Sequence, residues 1–406
     1  MIPFSPPRMD DKIIEAVIDT LKSGWITTGP RVIKFEEMLT RYGGHKATLC
    51  VSSGSAGLEL MLRWFGVKEG DEVIVPAYTY TATANVVVHC GAKPVFVDVE
   101  DDFNISVCKI ERAITPRTKV IIPVDLGGFP CDYDEINRLV SKTMIRKKFN
   151  PATEEQKKLG RILVLSDAAH SIGAFYKKKR TGCLTDITVY SFHAVKNLTT
   201  AEGGAVCLNL PEPFDNQDIQ KYLKVKSLHG QTKDAYSKVQ IGGWRYDIVE
   251  PGYKFNMTDI QAAMGLVELD RYDTDMLVKR RQIFETYSSA FSKYNWAQIP
   301  VYDTETKKSS FHAYLLRIKG ITENQRDRII HEVYSQGVAV NVHFIPLPMM
   351  TYYSSLGYRM EDFPVSYDNF SREISLPVYH SLSNRDIEII IRAVVHSVEA
   401  VIQDNS

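Results

Sequence analysis

Two side chains in this sequence have the types and settings to act together on a bound molecule. Lys196 stands in Val189-Tyr190-Ser191-Phe192-His193-Ala194-Val195-Lys196-Asn197, and Asp167 closes the strand-like run Ile162-Leu163-Val164-Leu165-Ser166-Asp167. An amine and a carboxylate at two strand ends suit a cofactor clamp. A lysine that forms a Schiff base with pyridoxal phosphate needs an acid on the pyridinium nitrogen, because the protonated ring is what draws electrons from the reacting carbon. Most lysines keep their ammonium group in water. Lys196, however, follows apolar and aromatic residues and precedes Thr199-Thr200-Ala201-Glu202-Gly203-Gly204, a pattern unlike a charged helix face. A partly desolvated amine has a lowered pKa and is the better nucleophile and base.

Asp167 opens Asp167-Ala168-Ala169-His170. A carboxylate at the carboxyl end of a parallel strand points into the crevice where open α/β sheets bind ligands, although Asp is equally a favoured helix N-cap. Ala168 and Ala169 leave room for a flat ring, and His170 carries a donor for a ring oxygen or serves as a satisfied structural residue. The run Thr48-Leu49-Cys50-Val51-Ser52-Ser53-Gly54-Ser55-Ala56-Gly57 passes from a strand into a helix through small residues. Amides at such a helix start hold phosphate. The same residues also make ordinary turns, and without G-x-G-x-x-G or G-K-[ST] neither a dinucleotide site nor a P-loop is expected. His193, Asp167 and His170 have metal-ligand side chains but no ligand spacing, so no metal site is expected.

The elements that must position these groups follow from periodicity. Between about 47 and 210, β-rich runs alternate with helical patterns, which predicts a mainly parallel sheet with helical crossovers. Strands are expected at 47-52, 72-75, 94-98, 119-124, 162-166 and 187-191. Ile13, Ile14, Val17, Ile18 and Leu21, before Gly24, and Leu58, Met61, Leu62 and Phe65, before Gly66, predict amphipathic helices with glycine stops. The charged stretch 141-160 reads as a solvated helical extension. Thr258 is placed to cap a helix carrying Ile260, Ala263, Met264 and Val267. The pattern then changes, which puts a large domain at 1-268 and a smaller α+β domain at 269-406. The smaller one is expected to contain a long helix, the run Phe311–Ile318, a helix near 323-336, a strand-like Val338–Phe344, and a last helix opened by Ser383-Asn384-Arg385-Asp386.

At 406 residues the chain exceeds what one core usually supports. Lys plus Arg and Asp plus Glu number 49 each, so no global field favours nucleic acid or an anionic membrane. Six cysteines without a C-x-x-C pair read as reduced, structural thiols. No apolar run reaches membrane-spanning length and Met1-Ile2-Pro3-Phe4-Ser5-Pro6-Pro7 lacks a leader pattern, so a cytoplasmic protein is expected.

Taken in order, Ser53-Gly54-Ser55-Ala56, Gly70-Asp71-Glu72-Val73-Ile74-Val75-Pro76, Asp167-Ala168-Ala169-His170, Ser191-Phe192-His193-Ala194-Val195-Lys196 and Glu202-Gly203-Gly204 resemble the DegT/DnrJ/EryC1/StrS sugar aminotransferases. The resemblance extends through Pro251–Ala263 and is nearest the branch that aminates C4 of nucleotide-linked keto sugars. It implies an α/β enzyme of fold type I with a seven-stranded, mainly parallel sheet, helices on both faces, a smaller C-terminal domain and active sites at a homodimer interface. It implies pyridoxal 5'-phosphate, passing through pyridoxamine 5'-phosphate, with glutamate as amino donor. Lys196 matches the Schiff-base lysine and Asp167 the partner of the ring nitrogen. Gly54, Ser55 and Ser191 match the phosphate cup, and Tyr80 the stacking aromatic. His170 stands where many members have Gln, His193 lies in the lysine motif, and Lys254 stands where many have an Asn reaching the phosphate from the other subunit, with Asn256 nearby. Thr27, in Trp25-Ile26-Thr27-Thr28-Gly29-Pro30, and His343, in Asn341-Val342-His343-Phe344-Ile345-Pro346, match substrate residues. A second His common in the family is Pro348 here. Amination at C3 or of a cyclitol ketone, and a regulatory protein that binds the cofactor without turnover, are the alternatives. A dehydratase of the same fold would carry His where Lys196 stands.

Overall fold

The computed structural model describes residues 1–233 and 244–403. Seven strands form the central sheet: β1 (Ala47–Val51), β2 (Glu72–Pro76), β3 (Lys93–Val97), β4 (Thr118–Ile121), β5 (Leu163–Asp167), β6 (Ile187–Ser191) and β7 (Gly204–Leu208). Their order is β1-β7-β6-β5-β4-β2-β3, parallel except for β7, which runs antiparallel to both neighbours. Every residue of β1, β2, β5 and β7 is buried, as expected of strands covered by helices on both faces. The expected strands are present with their ends shifted by up to three residues. β7 was absent from that expectation, although Gly204-Ala205-Val206-Cys207-Leu208 is a bounded apolar run.

Helices α1 (Asp11–Lys22) and α2 (Pro30–Gly43) precede the sheet, α3 (Gly54–Trp64) follows β1, and α4 (Ala82–His89) follows β2. Gly24 and Gly66 take positive φ, 72° and 76°, just past α1 and α3, as their glycine stops predict. α1 buries Ile13 but leaves Ile14, Ile18 and Leu21 exposed within this single chain. Its apolar stripe is only partly used. Stretch 141-160 forms two short helices, 143–148 and 154–159, whose charged face is solvated as expected. Ile145, Phe149 and Leu159 anchor it, and buried Gln156 donates to the carbonyl of Phe65 at 2.8 Å.

The Thr258 cap is realised as a full capping box with Gln261 at the start of α5 (Asp259–Asp270). Beyond it lie α6 (Leu277–Phe291), α7 (Glu323–Ser335), α8 (Asn384–Gln403) and a three-stranded antiparallel sheet of β8 (Ala297–Gln298), β9 (Tyr314–Ile318) and β10 (Glu373–Leu376). A second apolar core gathers around Phe284, Tyr287, Tyr314, Ile329, Val394 and Val398, separate from that of the large sheet. Ile2 bridges Val338, so the first residues of the chain lie on this smaller unit. The expected strand over 338–344 does not form: only isolated bridges at Val338 and Asn341 are made. Its residues turn toward the cleft, where Phe344 and His343 pack against rings instead of extending the sheet. Among the described residues no helix is long and apolar enough to cross a membrane.

Candidate active site

The carboxyl ends of β1, β2, β5 and β6 meet the first residue of β7 at one edge of the sheet, and that edge carries the chemistry. At the end of β1, Ser53 caps α3 by accepting from the amide of Ala56 at 3.0 Å. The first-turn amides of Gly54 and Ser55 lie outside the intrahelical ladder and point outward with the positive end of the helix dipole. Ser191 ends β6 beside them, since a Cβ placed on Gly54 would lie 3.1 Å from the Cβ of Ser191. Such a helix start, lined by small residues, has the geometry that suits a phosphate. Gly204 closes its floor: a Cβ there would come 2.6 Å from the nitrogen of Gly54 and the carbonyl carbon of Ser53. Gly204→Ala is therefore expected to cost roughly 1–3 kcal/mol of stability and to weaken cofactor retention. Thermal unfolding and a cofactor titration check it, and wild-type values in both would exclude the close approach.

Asp167 ends β5 and is buried. Its Oδ2 accepts from the hydroxyl of Thr83 at 2.8 Å and its Oδ1 from the amide of Ala169 at 3.2 Å. Burial nevertheless raises its pKa, against the lowering effect of those hydrogen bonds and of the charge on Lys196. Such a carboxylate lacks a full counter-charge. Lys196, on the turn after β6, is half-buried, and desolvation brings its pKa down to about 8 while Asp167 pulls it the other way. Between that value and the ordinary one, an unfolded chain holds a proton that the folded chain releases, so stability climbs with pH across this window. Replacing the lysine by an uncharged side chain removes the penalty present below it. Apo Lys196→Met is thus expected to exceed apo wild type at neutral pH by roughly 2–3 kcal/mol, the gap closing toward alkaline pH. Denaturant titrations at several pH values measure it.

His170 is buried and its imidazole is held well below the usual pKa by desolvation, with the Lys196 charge second. Its Nδ1 accepts from the amide of Gly127 at 3.3 Å, which leaves the proton of the neutral ring on Nε2 as a donor. His312 stacks on His170 with ring centroids 4.1 Å apart, and its Nδ1 meets Oδ1 of Asn197 at 2.8 Å. Asn197 in turn donates to the carbonyl of Ser310 at 2.7 Å. The loop that carries these residues, 309–313, docks on Gly127 and Gly128: Ser310 and His312 donate to their carbonyls at 3.0 and 3.1 Å. Gly128 has φ 91° and no room for a Cβ, which would lie 2.2 Å from Oγ of Ser310. Tyr80 is 59% exposed and its ring sits 5.6 Å from Phe344, which lies 6.0 Å from His170.

Of the residues expected from sequence, Gly54, Ser55, Ser191, Asp167, His170, Lys196, Tyr80 and His343 gather at this edge. His193 donates its amide to Oγ of Ser191 at 3.4 Å, but its side chain is exposed, with Nε2 3.7 Å from Glu202. Asn256 donates to the Thr28 hydroxyl at 2.7 Å, while Phe255 accepts from the amide of Ser52, so the 254–256 segment runs beside the cradle with Lys254 exposed. Thr27 accepts from the amide of Asp259 at 3.1 Å, and no hydrogen bond or ring contact joins it to His343 among the described residues. Thr83, Asn197 and His312 were not anticipated. Thr83 was visible only as a hydroxyl inside the apolar helix α4, and His312 only as a polar interruption of Phe311–Ile318.

No group of three or more His, Cys, Asp and Glu among the described residues is arranged to hold a metal. The arrangement fits pyridoxal phosphate: a cradle for the phosphate, an under-compensated buried carboxylate for a protonated ring nitrogen, a donor on His170 and a half-buried amine of lowered pKa. Fold and site define a pyridoxal-phosphate-dependent transferase of fold type I. Comparison with known proteins carries this further, since the DegT/DnrJ/EryC1/StrS aminotransferase family matches residues 7–147 and 151–395. The chain belongs to that family of aminotransferases. It is similar to Spr1654 of Streptococcus pneumoniae, described as a putative sugar aminotransferase and solved in its PMP form, with a TM-score of 0.95 and 45% identity, covering 99% of this chain and 100% of that one. It is also similar to Helicobacter pylori PseC, an aminotransferase involved in the biosynthesis of pseudoaminic acid, with a TM-score of 0.86 and 27% identity over 98% of this chain and 99% of that one. The spore coat polysaccharide biosynthesis protein SpsC of Bacillus subtilis is 36% identical, covering 97% of this chain and 96% of the relative.

Proposed function

We propose that this enzyme moves the amino group of glutamate to the C4 ketone of a nucleotide-linked sugar. The observation that supports it best is the half-buried Lys196 amine, with pKa near 8, close enough to Asp167 for each charge to be felt by the other. Bound pyridoxal phosphate supplies the electron sink into which the negative charge of the donor carbon is delocalised. Lys196, partly neutral near neutral pH, is fitted to take the proton from the donor carbon at Nζ as general base and, as the ammonium, to give it up again as general acid. Asp167 holds the proton of the ring nitrogen in place, and Thr83 orients the carboxylate. Nε2–H of His170 would be the donor for the ring hydroxyl, and Gly54, Ser55 and Ser191 would hold the phosphate. Tyr80 offers a flat face to the ring. In the second half of the cycle Lys196 runs the same proton transfer in reverse on the sugar.

The part of PseC in pseudoaminic acid biosynthesis and that of SpsC in spore coat polysaccharide biosynthesis favour a sugar substrate. A homodimer with shared sites is part of the proposal. Exposed Ile14, Ile18, Leu21 and Ile26, and exposed Trp244, Tyr246, Ile248 and Val249, are apolar surface that a second copy would cover, and exposed Lys254 would then reach its partner's cradle. A panel of nucleotide-linked keto sugars, incubated with glutamate and analysed by NMR, tests the reading. Amine at C4 is the expected product; amine at C3, or turnover of cyclitol ketones alone, would replace it.

A further inference from the structure

His343 has a second layer of partners behind it. Its Nδ1 lies 2.8 Å from Oγ of Ser375, and that hydroxyl lies 2.5 Å from Oε1 of Glu373. The other carboxyl oxygen, Oε2, accepts from the backbone amide of His343 itself at 3.0 Å. Glu373 and Ser375 are wholly buried on the same face of β10, where a strand of this kind ordinarily places apolar side chains. Two guanidinium groups stand near the carboxyl but neither reaches it: Arg317 is bonded to Asn369, and Arg326 donates to the carbonyls of Phe370 and of Glu373. Tyr78 also faces Glu373, and Lys196, His170 and His312 face His343. Phe4 stacks over the imidazole at 5.5 Å. Nε2 of His343 has no hydrogen-bond partner among the described residues, leaving it for the cleft.

Serine is the only side chain in this trio that can turn its proton either way. We propose that Glu373 and Ser375 form a hydroxyl relay that sets which ring nitrogen of His343 carries the proton, making His343 a donor toward the sugar nucleotide when Glu373 is protonated and an acceptor when it is not. With Glu373 protonated, Oε1–H donates to Oγ of Ser375, the serine proton turns to Nδ1, and the imidazole proton resides on Nε2. When Glu373 gives its proton to solvent, the serine hydroxyl turns to Oε1 and accepts from Nδ1–H, and Nε2 presents a lone pair. The trio loses one proton and His343 stays neutral throughout. That neutrality is supported by desolvation, which brings its pKa to about 3 with the Lys196 charge adding to the effect. Glu373 is raised by burial to about 8, so the donor form prevails at neutral pH and suits an oxygen acceptor on the sugar or its phosphates. Glu373 and Ser375 are positioning residues in this scheme, which rests on the reading that His343 faces the sugar.

The relay is measured without any sugar. Holoenzyme labelled with ¹⁵N-histidine gives long-range proton–nitrogen spectra in which the two tautomers differ, and His343→Gln assigns the signals. The expected result is Nε2–H below about pH 8 and Nδ1–H above it in wild type, with the change lost in Glu373→Gln and in Ser375→Ala and retained in Ser375→Thr. A wild-type tautomer that stays fixed across this range overturns the relay, as does a Glu373→Gln or Ser375→Ala protein that still switches. Failure of the keto-sugar panel leaves these spectra unchanged, so the two readings fail separately.

Discussion

Lys196→Ala is expected to lower amino transfer by on the order of 10⁴-fold while the protein folds and still takes up cofactor. The argument runs from burial to chemistry. Desolvation and the neighbouring carboxylate hold the amine near pKa 8, so at neutral pH it is available both as the attachment point and as the carrier of the migrating proton. The cradle of Gly54, Ser55 and Ser191 is made by other elements and survives the substitution. Single-turnover measurements with glutamate, followed by mass spectrometry after borohydride reduction, give the answer. The tag should fall on Lys196 in wild type and vanish in the variant. A tag on another residue, or transfer near the wild-type rate, would remove Lys196 from its role.

Asp167→Asn is expected to reduce the rate by roughly 10²–10³-fold, the scale of losing one preorganised electrostatic contact to developing charge. An amide keeps the shape and the hydrogen bond from Thr83 but cannot hold the ring nitrogen protonated. Because burial already raises the pKa of Asp167, its charge costs folding free energy above the usual carboxylate range. The apo variant should therefore be at least as stable as wild type at neutral pH. Rates with glutamate and melting temperatures of apo protein at neutral pH separate the two effects. A slow, unstable variant would assign Asp167 to the scaffold, and a fast one would require another group to protonate the ring.

Much of this architecture is readable from residue order alone, because its determinants are local. The buried strands announce themselves as bounded Val, Ile and Leu runs, and the helix ends at Gly24, Gly66 and Thr258 as positive-φ and capping residues. The amine and carboxylate were legible because Asp167 closes an apolar strand and Lys196 lies five residues past the end of another, where the apolar pattern gives way to polar residues. Contacts made across the fold left no such trace. His312 reaches His170 from 142 positions away through a loop docked on two glycines, and Thr83 meets Asp167 only because α4 packs behind β2. Val338–Phe344 has β-type composition, but its rings are drawn to the cleft and tertiary packing prevails over propensity. Glu373 and Ser375 look like surface residues of an alternating strand until the sheet is seen to be covered on that side.

The stack of His312 on His170, fastened through Asn197 and Ser310, has a mechanical outcome. Asn197 adjoins Lys196 in the chain, while the groups gripping it come from beyond residue 300. Separating the two units would thus disturb the amine's neighbourhood before either apolar core is breached. Occupying the cleft should in turn tie the C-terminal part to the rest, so that holoenzyme melts in a single cooperative step.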